Sequence, residues 1–286
     1  MTLDLVALTK PRITLMTLLV AGGCMLLAEA TLAPVQAALA LLGIALLVSG
    51  SSAFNMYLER DYDGLMARTA TRPLPTGRLQ PGWALGVGFL TSLLAIPVLW
   101  VSTNLLTVML GMASLVAYVL IYTPMKRLST WALVVGAFPG AMPALMGYTA
   151  VSGQIDAAGL ALFGLAFFWQ LPHFIAIGIF RKEEYMKAGY PVIVQVTGEP
   201  TAIALTILTT VLIVANAGLL WWLDVGGMFY GVISTLLGFW FLTLAVLGYF
   251  SKDIKIWARK LFRGSLIYQS VLFLLLAIDG LLCKFM

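Results

Sequence analysis

The chain has 286 residues, of which 61% are hydrophobic and 10% charged, and its mean hydropathy is +0.99. A soluble domain carries about 25% charged residues, so this composition excludes an ordinary soluble enzyme and points to an integral membrane protein. The formal net charge of +5 would hint at nucleic acid in a soluble chain. Here membrane orientation explains it, and no nucleic-acid partner is expected.

A spanning helix needs about 20 apolar residues. Nine stretches qualify, at roughly 12–28, 35–58, 82–101, 105–122, 130–150, 157–180, 200–222, 227–250 and 262–283. Turn chemistry separates them, as in Ala33-Pro34, Pro81-Gly82, Ser152-Gly153-Gln154 and Asp224-Val225-Gly226-Gly227. The first span lacks a small-residue cleavage site and no Arg/Ser-rich transit segment precedes it, so neither a signal nor a transit peptide is expected. With nine spans, 16 of the 17 Lys and Arg residues fall on one side, and only Lys284 falls opposite. The positive-inside rule makes that side cytoplasmic. The expected architecture is all-α: one domain over 1–286, nine transmembrane helices around a central cavity open to the cytoplasm, in a bacterial inner membrane. Cys24 and Cys283 lie in apolar segments without metal-type spacing and read as packing residues. Gly136-x-x-x-Gly140, with Pro139 and Pro143, suggests close helix packing or a kink.

Three polar groups interrupt the oil. The first ends the second span. Asn55, Glu59 and Asp63 recur every four residues. Each step of four drifts about 40° on a helix, so they stack on one face over roughly 12 Å. An amide and two carboxylates are hard oxygen ligands of the kind Mg²⁺ accepts, with phosphate and water completing the shell. Asp61 lies off that face and reads as an ion-pair partner for Arg60 or Arg68. Arg68 and Arg72 offer planar forks for phosphate oxygens. A salt-bridged interface loop would carry the same residues. The second group ends the fourth span: Lys126 and Tyr122 are suited to a phosphate, with Arg127 beside them, although topology alone explains the cations. The third runs from Trp169-Gln170-Leu171-Pro172-His173 to Arg181, Lys182, Glu183 and Glu184. If this segment is one helix, His173 and Glu184 share a face roughly 16 Å apart. His173 is the sole histidine. Inside a membrane it is suited to ligate a metal or carry a proton, and Glu183 and Glu184 to hold a second metal.

The Asn55-x-x-x-Glu59-x-x-x-Asp63 pattern, with Arg68 and Arg72-Pro73 after it, resembles the first acidic motif of the UbiA-type intramembrane prenyltransferases, and the resemblance covers nearly the whole chain. Leu8-Thr-Lys-Pro-Arg12, Tyr148-Thr-Ala-Val-Ser-Gly153 and Trp169-Gln-Leu-Pro-His173-Phe174 resemble the protoheme IX farnesyltransferase (heme O synthase) branch. That resemblance implies Mg²⁺-dependent farnesyl transfer from farnesyl diphosphate to a vinyl group of heme b, with addition of water. It implies Asn55, Glu59, Asp63, Glu183 and Glu184 as metal ligands. It further implies Arg68, Arg72 and Lys126 as neutralisers of the leaving diphosphate, and His173 as a heme contact. Tyr122, Arg127, Trp169, Arg181 and Lys182 complete the expected substrate wall. A downstream heme-modifying enzyme or a terminal oxidase assembly is an implied partner beside the membrane lipid. Two departures stand out. Position 59 is Glu where Asp is usual, and Lys187 and Ala188 stand where the superfamily's second motif repeats an acid. A phenolic or quinone-precursor acceptor, or a transporter whose acids form an ion path, are the competing readings.

Overall fold

The computed structural model describes the backbone of residues 1–285 and side chains as far as Leu282. The side chains of Cys283 and Lys284 lie outside the described residues. No strand occurs among the described residues. In chain order the helices are α1 (Thr2–Leu8), α2 (Pro11–Leu26), α3 (Pro34–Asp63), α4 (Pro81–Ser102), α5 (Leu105–Met125), α6 (Ala132–Ser152), α7 (Ala157–Phe180), α8 (Lys182–Lys187), α9 (Ile193–Thr197), α10 (Glu199–Trp222), α11 (Met228–Phe250) and α12 (Ile254–Phe285). Among the described residues, eight are long and apolar enough to cross a membrane. The first expected span falls on the α1–α2 pair, which is long and apolar enough only when taken together and bends by 46° at its break, so the count is eight, or nine if that pair is one span. The protein is an integral membrane protein.

Pro at the first helical turn starts α2, α3 and α4, where its missing N–H costs nothing. Neighbouring spans pack in sequence from α2 through α7, then α10, α11 and α12, and α12 returns to α2. The ring is pinched: α6 also packs on α2, and α7 on α12. Small residues permit this. A Cβ on Gly147 of α6 would lie 2.9 Å from Ala21 Cα, so α2 and α6 touch at backbone distance. Gly136 and Gly140 accept the Tyr122 ring and the Gln170 amide where a side chain would collide. The G-x-x-x-G segment is therefore a close-packing element.

Two boundaries differ from the sequence reading. α12 begins at Ile254, about two turns before the expected 262. Trp257, Ala258 and Leu261 are buried at helical spacing while Lys255, Arg259 and Lys260 face outward. An amphipathic start of this kind is hidden from a search for uniform hydropathy. The His173–Glu184 stretch is not one helix either. α7 ends at Phe180, Arg181 leaves helical geometry (φ −109°, ψ 16°), and α8 starts afresh. Their expected common face does not exist.

Candidate active site

α3 has 30 residues and carries Asn55, Glu59 and Asp63 in its last three turns, all buried on one side. Each holds a cation from another element. Asn55 Oδ1 accepts from Lys10 Nζ at 2.7 Å. Glu59 Oε1 pairs with Lys126 at the end of α5. Asp63 Oδ2 pairs with Arg72 at 2.6 Å. Burial opposes the charge of Lys126, but the Tyr122 hydroxyl and Glu59 outweigh it and hold Lys126 above the ordinary lysine range. The Asn55 amide also donates to Thr123 Oγ1 at 3.2 Å, and Thr123 donates to Tyr118 O at 2.8 Å.

Local backbone chemistry aims these groups. Within α5, Ala117–Tyr122 forms a π-helical turn. Such a bulge inserts an extra residue and re-aims the side chains after it, often at functional sites. Here it presents Tyr118, Tyr122 and Thr123 to the cluster, with Lys126 Nζ 4.8 Å from the Tyr122 ring centre. Lys10 sits in the α1–α2 break with φ 46° and ψ 63°, a left-handed conformation that costs a non-glycine residue about 1–2 kcal/mol.

The donor set suits a small hard cation. Two carboxylates and an amide supply oxygen, and Asp63 Oδ1 is buried without a protein partner. Three acidic or imidazole ligands never gather at one place among the described residues, so phosphate and water oxygens would have to complete a Mg²⁺ shell here. Below the cluster lies a cavity of about 110 Å³, lined by Ile44, Leu47 and Ser52 of α3, Leu115 and Tyr118 of α5, and Pro143 of α6 among others. Tyr118 and Ser52 link the charged rim to this apolar space.

The second acidic pair is engaged elsewhere. Glu183 is exposed and pairs with Lys255 at 2.6 Å, and that hydrogen bond holds its carboxyl below the ordinary range. Glu184 accepts from Arg181 at 2.6 Å and from the Arg68 backbone N–H at 3.2 Å. Burial opposes ionisation of Glu184, but those two donors still hold it low. The expected metal ligands 183 and 184 thus meet this chain's own donors, as Asn55, Glu59 and Asp63 do, and Glu184 ties the α7–α10 connection to the loop after α3. Arg68 is exposed and reaches Tyr185 Oη at 3.5 Å. Arg127 stacks 3.9 Å from the Tyr62 ring centre and donates to Leu58 O. Arg60 pairs with Asp61 at 3.6 Å, as the sequence suggested. Lys182 makes no ion pair with a described residue. Tyr190 closes over this group from the same connection. Its hydroxyl is buried without a partner, and burial pushes its pKa up to about 12.

His173 lies in the α7–α12 seam, between Trp169 (ring centres 4.6 Å apart) and Phe262 (4.7 Å). Trp169 Nε1 donates to Ser265 O at 2.6 Å. His173 Nδ1 meets Ser265 Oγ at 2.8 Å, and Ser265 Oγ donates its own proton to Phe262 O at 2.7 Å. With the serine proton on Phe262 O, the serine accepts from Nδ1–H, and that tautomer leaves the lone pair on Nε2.

Lys10, Tyr118, Thr123, Tyr190 and Ser265 are the residues the sequence did not single out as site residues. For Lys10 the signal was a lysine immediately before the proline that opens the first span. For Ser265, nothing local distinguished it from other small residues in an apolar helix.

A model of the UbiA prenyltransferase family matches residues 14–267. Among curated relatives, the protoheme IX farnesyltransferase of Anaeromyxobacter dehalogenans is 43% identical over 273 residues, covering 96% of this chain and 92% of that protein. The protein of the same description from Myxococcus xanthus is 42% identical over 276 residues, covering 96% and 94%. Among solved structures, a digeranylgeranylglyceryl phosphate synthase superposes with a TM-score of 0.83 at 14% identity, covering 97% of each chain. A UbiA homolog from Archaeoglobus fulgidus bound to DMAPP and Mg²⁺ gives 0.72 at 16% identity, covering 94% of this chain and 99% of that one. At such identities the structural likeness speaks to fold alone.

Proposed function

The chain belongs to the UbiA prenyltransferase family and is a prenyltransferase; from that premise we propose that it transfers a farnesyl group from farnesyl diphosphate to a vinyl carbon of heme b, with addition of water. The C1–O bond of the diphosphate breaks and a C–C bond forms to one vinyl carbon. Water oxygen adds to the other and gives up a proton, leaving a hydroxyethylfarnesyl heme and diphosphate. The observation that carries the transfer chemistry is the charged cluster of Asn55, Glu59, Asp63, Lys126 and Arg72 set directly above an apolar cavity. A diphosphate with an isoprenoid tail has those two halves in that order.

Asn55, Glu59 and Asp63 would hold Mg²⁺, which would draw off the charge that builds on the leaving diphosphate. Arg72 and Lys126 face the same oxygens, and Arg68 lies at the outer rim. The apolar walls below shield the allylic carbon from bulk water until the vinyl group attacks. The acceptor is assigned from the relatives' activity and from His173. A neutral imidazole with its Nδ1–H fixed by Ser265 is the form that ligates iron through Nε2. The active side is assigned to the cytoplasm on the Lys and Arg distribution.

The test is direct. Purified protein in lipid, given heme b, farnesyl diphosphate and Mg²⁺, should yield by mass spectrometry a heme heavier by one farnesyl group and one water. Product with a phenolic acid but none with heme would overturn the acceptor. Product without divalent metal would overturn the role of Asn55, Glu59 and Asp63.

A further inference from the structure

Two of the three ligand–cation pairs match a carboxylate with a cation. The third does not. Lys10 is matched with Asn55, a neutral amide, so the cluster holds three cations against two carboxylates. Burial, Arg72 and Lys126 oppose a charge on Lys10 more than Glu59 and Asp63 favour it, so charge neutralisation does not explain why this side chain is there. Nor does chance, since the chain maintains considerable structure to place it. Its backbone is left-handed. Leu8 is wholly buried in a small core with Ala53, Met56 and Leu79. Asp4 is tied to Arg78 at 2.9 Å, fastening α1 to the loop after α3. Strained residues persist where their surroundings over-determine them, and they gather at ligand sites.

We infer that Lys10 is a diphosphate-binding residue, which holds Asn55 in the arrangement described above and passes to a phosphate oxygen when metal and diphosphate enter together. The inference rests on the reading of this cluster as a metal–diphosphate site. Its physical basis is an exchange of partners. A metal arriving alone must take Asn55 Oδ1 and strand the Lys10 ammonium among two further cations. A diphosphate arriving alone gives the cations acceptors but faces Glu59 and Asp63 across a short gap. Arriving as a unit, the metal takes the amide and carboxylates and the phosphates take the cations. Every charged group then keeps a partner of opposite sign. Affinity for each component therefore rises in the presence of the other, and linkage makes that coupling reciprocal.

The experiment uses full-length protein in lipid nanodiscs and measures two bindings separately. Radiolabelled inorganic pyrophosphate is titrated with Mg²⁺ and with chelator, and Mn²⁺ is titrated alone by the loss of its free electron-paramagnetic signal. Wild type should bind pyrophosphate at least about 10-fold tighter with Mg²⁺ than without. Lys10→Met should weaken pyrophosphate binding in Mg²⁺ by about 30-fold, the cost of removing one charged partner at a largely buried contact. It should bind Mn²⁺ alone as tightly as wild type or tighter, because the competing ammonium is gone. Lys10→Arg should stay within a few-fold of wild type on both counts. Both variants keep a side chain at the left-handed position, so that strain is common to all three proteins. A Lys10→Met protein that loses Mn²⁺ affinity would show that Lys10 merely positions Asn55, and unchanged pyrophosphate binding would show that it does not meet phosphate; either overturns the inference. If Lys10→Met fails to fold, Lys10→Arg decides, since pyrophosphate affinity reduced more than 10-fold with the charge kept would contradict exchange. Wild type that binds neither probe removes the functional reading of the cluster itself, and this inference with it.

Discussion

The charged cluster at the end of α3 and the imidazole seam between α7 and α12 are both buried polar sites, and they are built on opposite plans. In the seam one arrangement gives every proton an acceptor: Nδ1–H to Ser265, the serine hydroxyl to Phe262 O, the indole N–H to Ser265 O. One lone pair, on Nε2, is left over. In the cluster the donors outnumber the charges they can satisfy, Asp63 Oδ1 is left without a protein partner, and every ligand is held by a cation it would have to release. On the proposed function, the seam would be arranged in advance for its ligand, and the cluster would have to rearrange around its own. Pre-arrangement lowers the cost of binding, whereas a rearranging site gains selectivity for a ligand that replaces all the lost partners at once.

Asp63 sits where that contrast is sharpest. Asp63→Asn should cut prenyl transfer by about 10³-fold, at the upper end of what loss of one electrostatic contact to the reacting group costs. Heme binding, read from the Soret band, should remain. Loss of both together would merge the two regions into one and break the contrast.

The next largest effect is on stability. Lys126→Met strands the Glu59 carboxylate. A fully buried pair broken in this way costs about 3–5 kcal/mol. Lys126 keeps 22% of its side chain exposed, so about 2 kcal/mol is expected. Adding Glu59→Gln should restore most of the melting temperature and none of the turnover. Recovery of turnover would show that the pair is structural.

How far all this was legible in the sequence differs between the two regions. The common face of Asn55, Glu59 and Asp63 could be read because a helix converts spacing into direction. The cations opposite it could be read only where they lay close in sequence, as with Arg72, or ended a span on the same side, as with Lys126. Lys10 faces Asn55 because α1 breaks from α2 and the ring closes, and no local pattern encodes that contact. The seam was half legible. His173 stood out by being the only one, but Ser265, which meets its Nδ1, is an ordinary small residue on a helix that does not adjoin α7 in sequence. The partners of the second acidic pair were not legible for the complementary reason: a carboxylate's identity says nothing about which of several nearby cations it will meet.

A smaller effect probes the seam. Ser265→Ala frees the imidazole to adopt the other tautomer and should weaken heme binding about 10-fold, the lower end for loss of a group that orients a metal-ligating histidine. Diphosphate release in the absence of heme should be unchanged.

The smallest effect concerns acid. Glu183 and Glu184 have folded-state pKa values held below the ordinary range. Their contribution is complete above the unfolded carboxylate pKa of about 4.3 and is lost as pH falls through the depressed folded value. Hydrogen exchange across residues 181–191 should therefore rise only at strongly acidic pH. Glu183→Gln, at an exposed site, should change little, while Glu184→Gln should loosen that segment at neutral pH.

The length of α3 has a kinetic consequence. Thirty helical residues reach about 45 Å, well beyond a hydrocarbon core of about 30 Å. Such a length would carry the Asn55–Asp63 face out to the depth of lipid headgroups, with the apolar cavity beneath it. An isoprenoid diphosphate dissolved in the bilayer already lies with its charge at that depth and its tail below. Should the protein take such a donor from the lipid, as proposed above, the donor would not have to pass through water. Encounter is then a two-dimensional event, and turnover should saturate with the mole fraction of donor in the membrane rather than with its bulk concentration. Diluting the same donor and enzyme with inert lipid should slow the reaction while every quantity per litre stays the same.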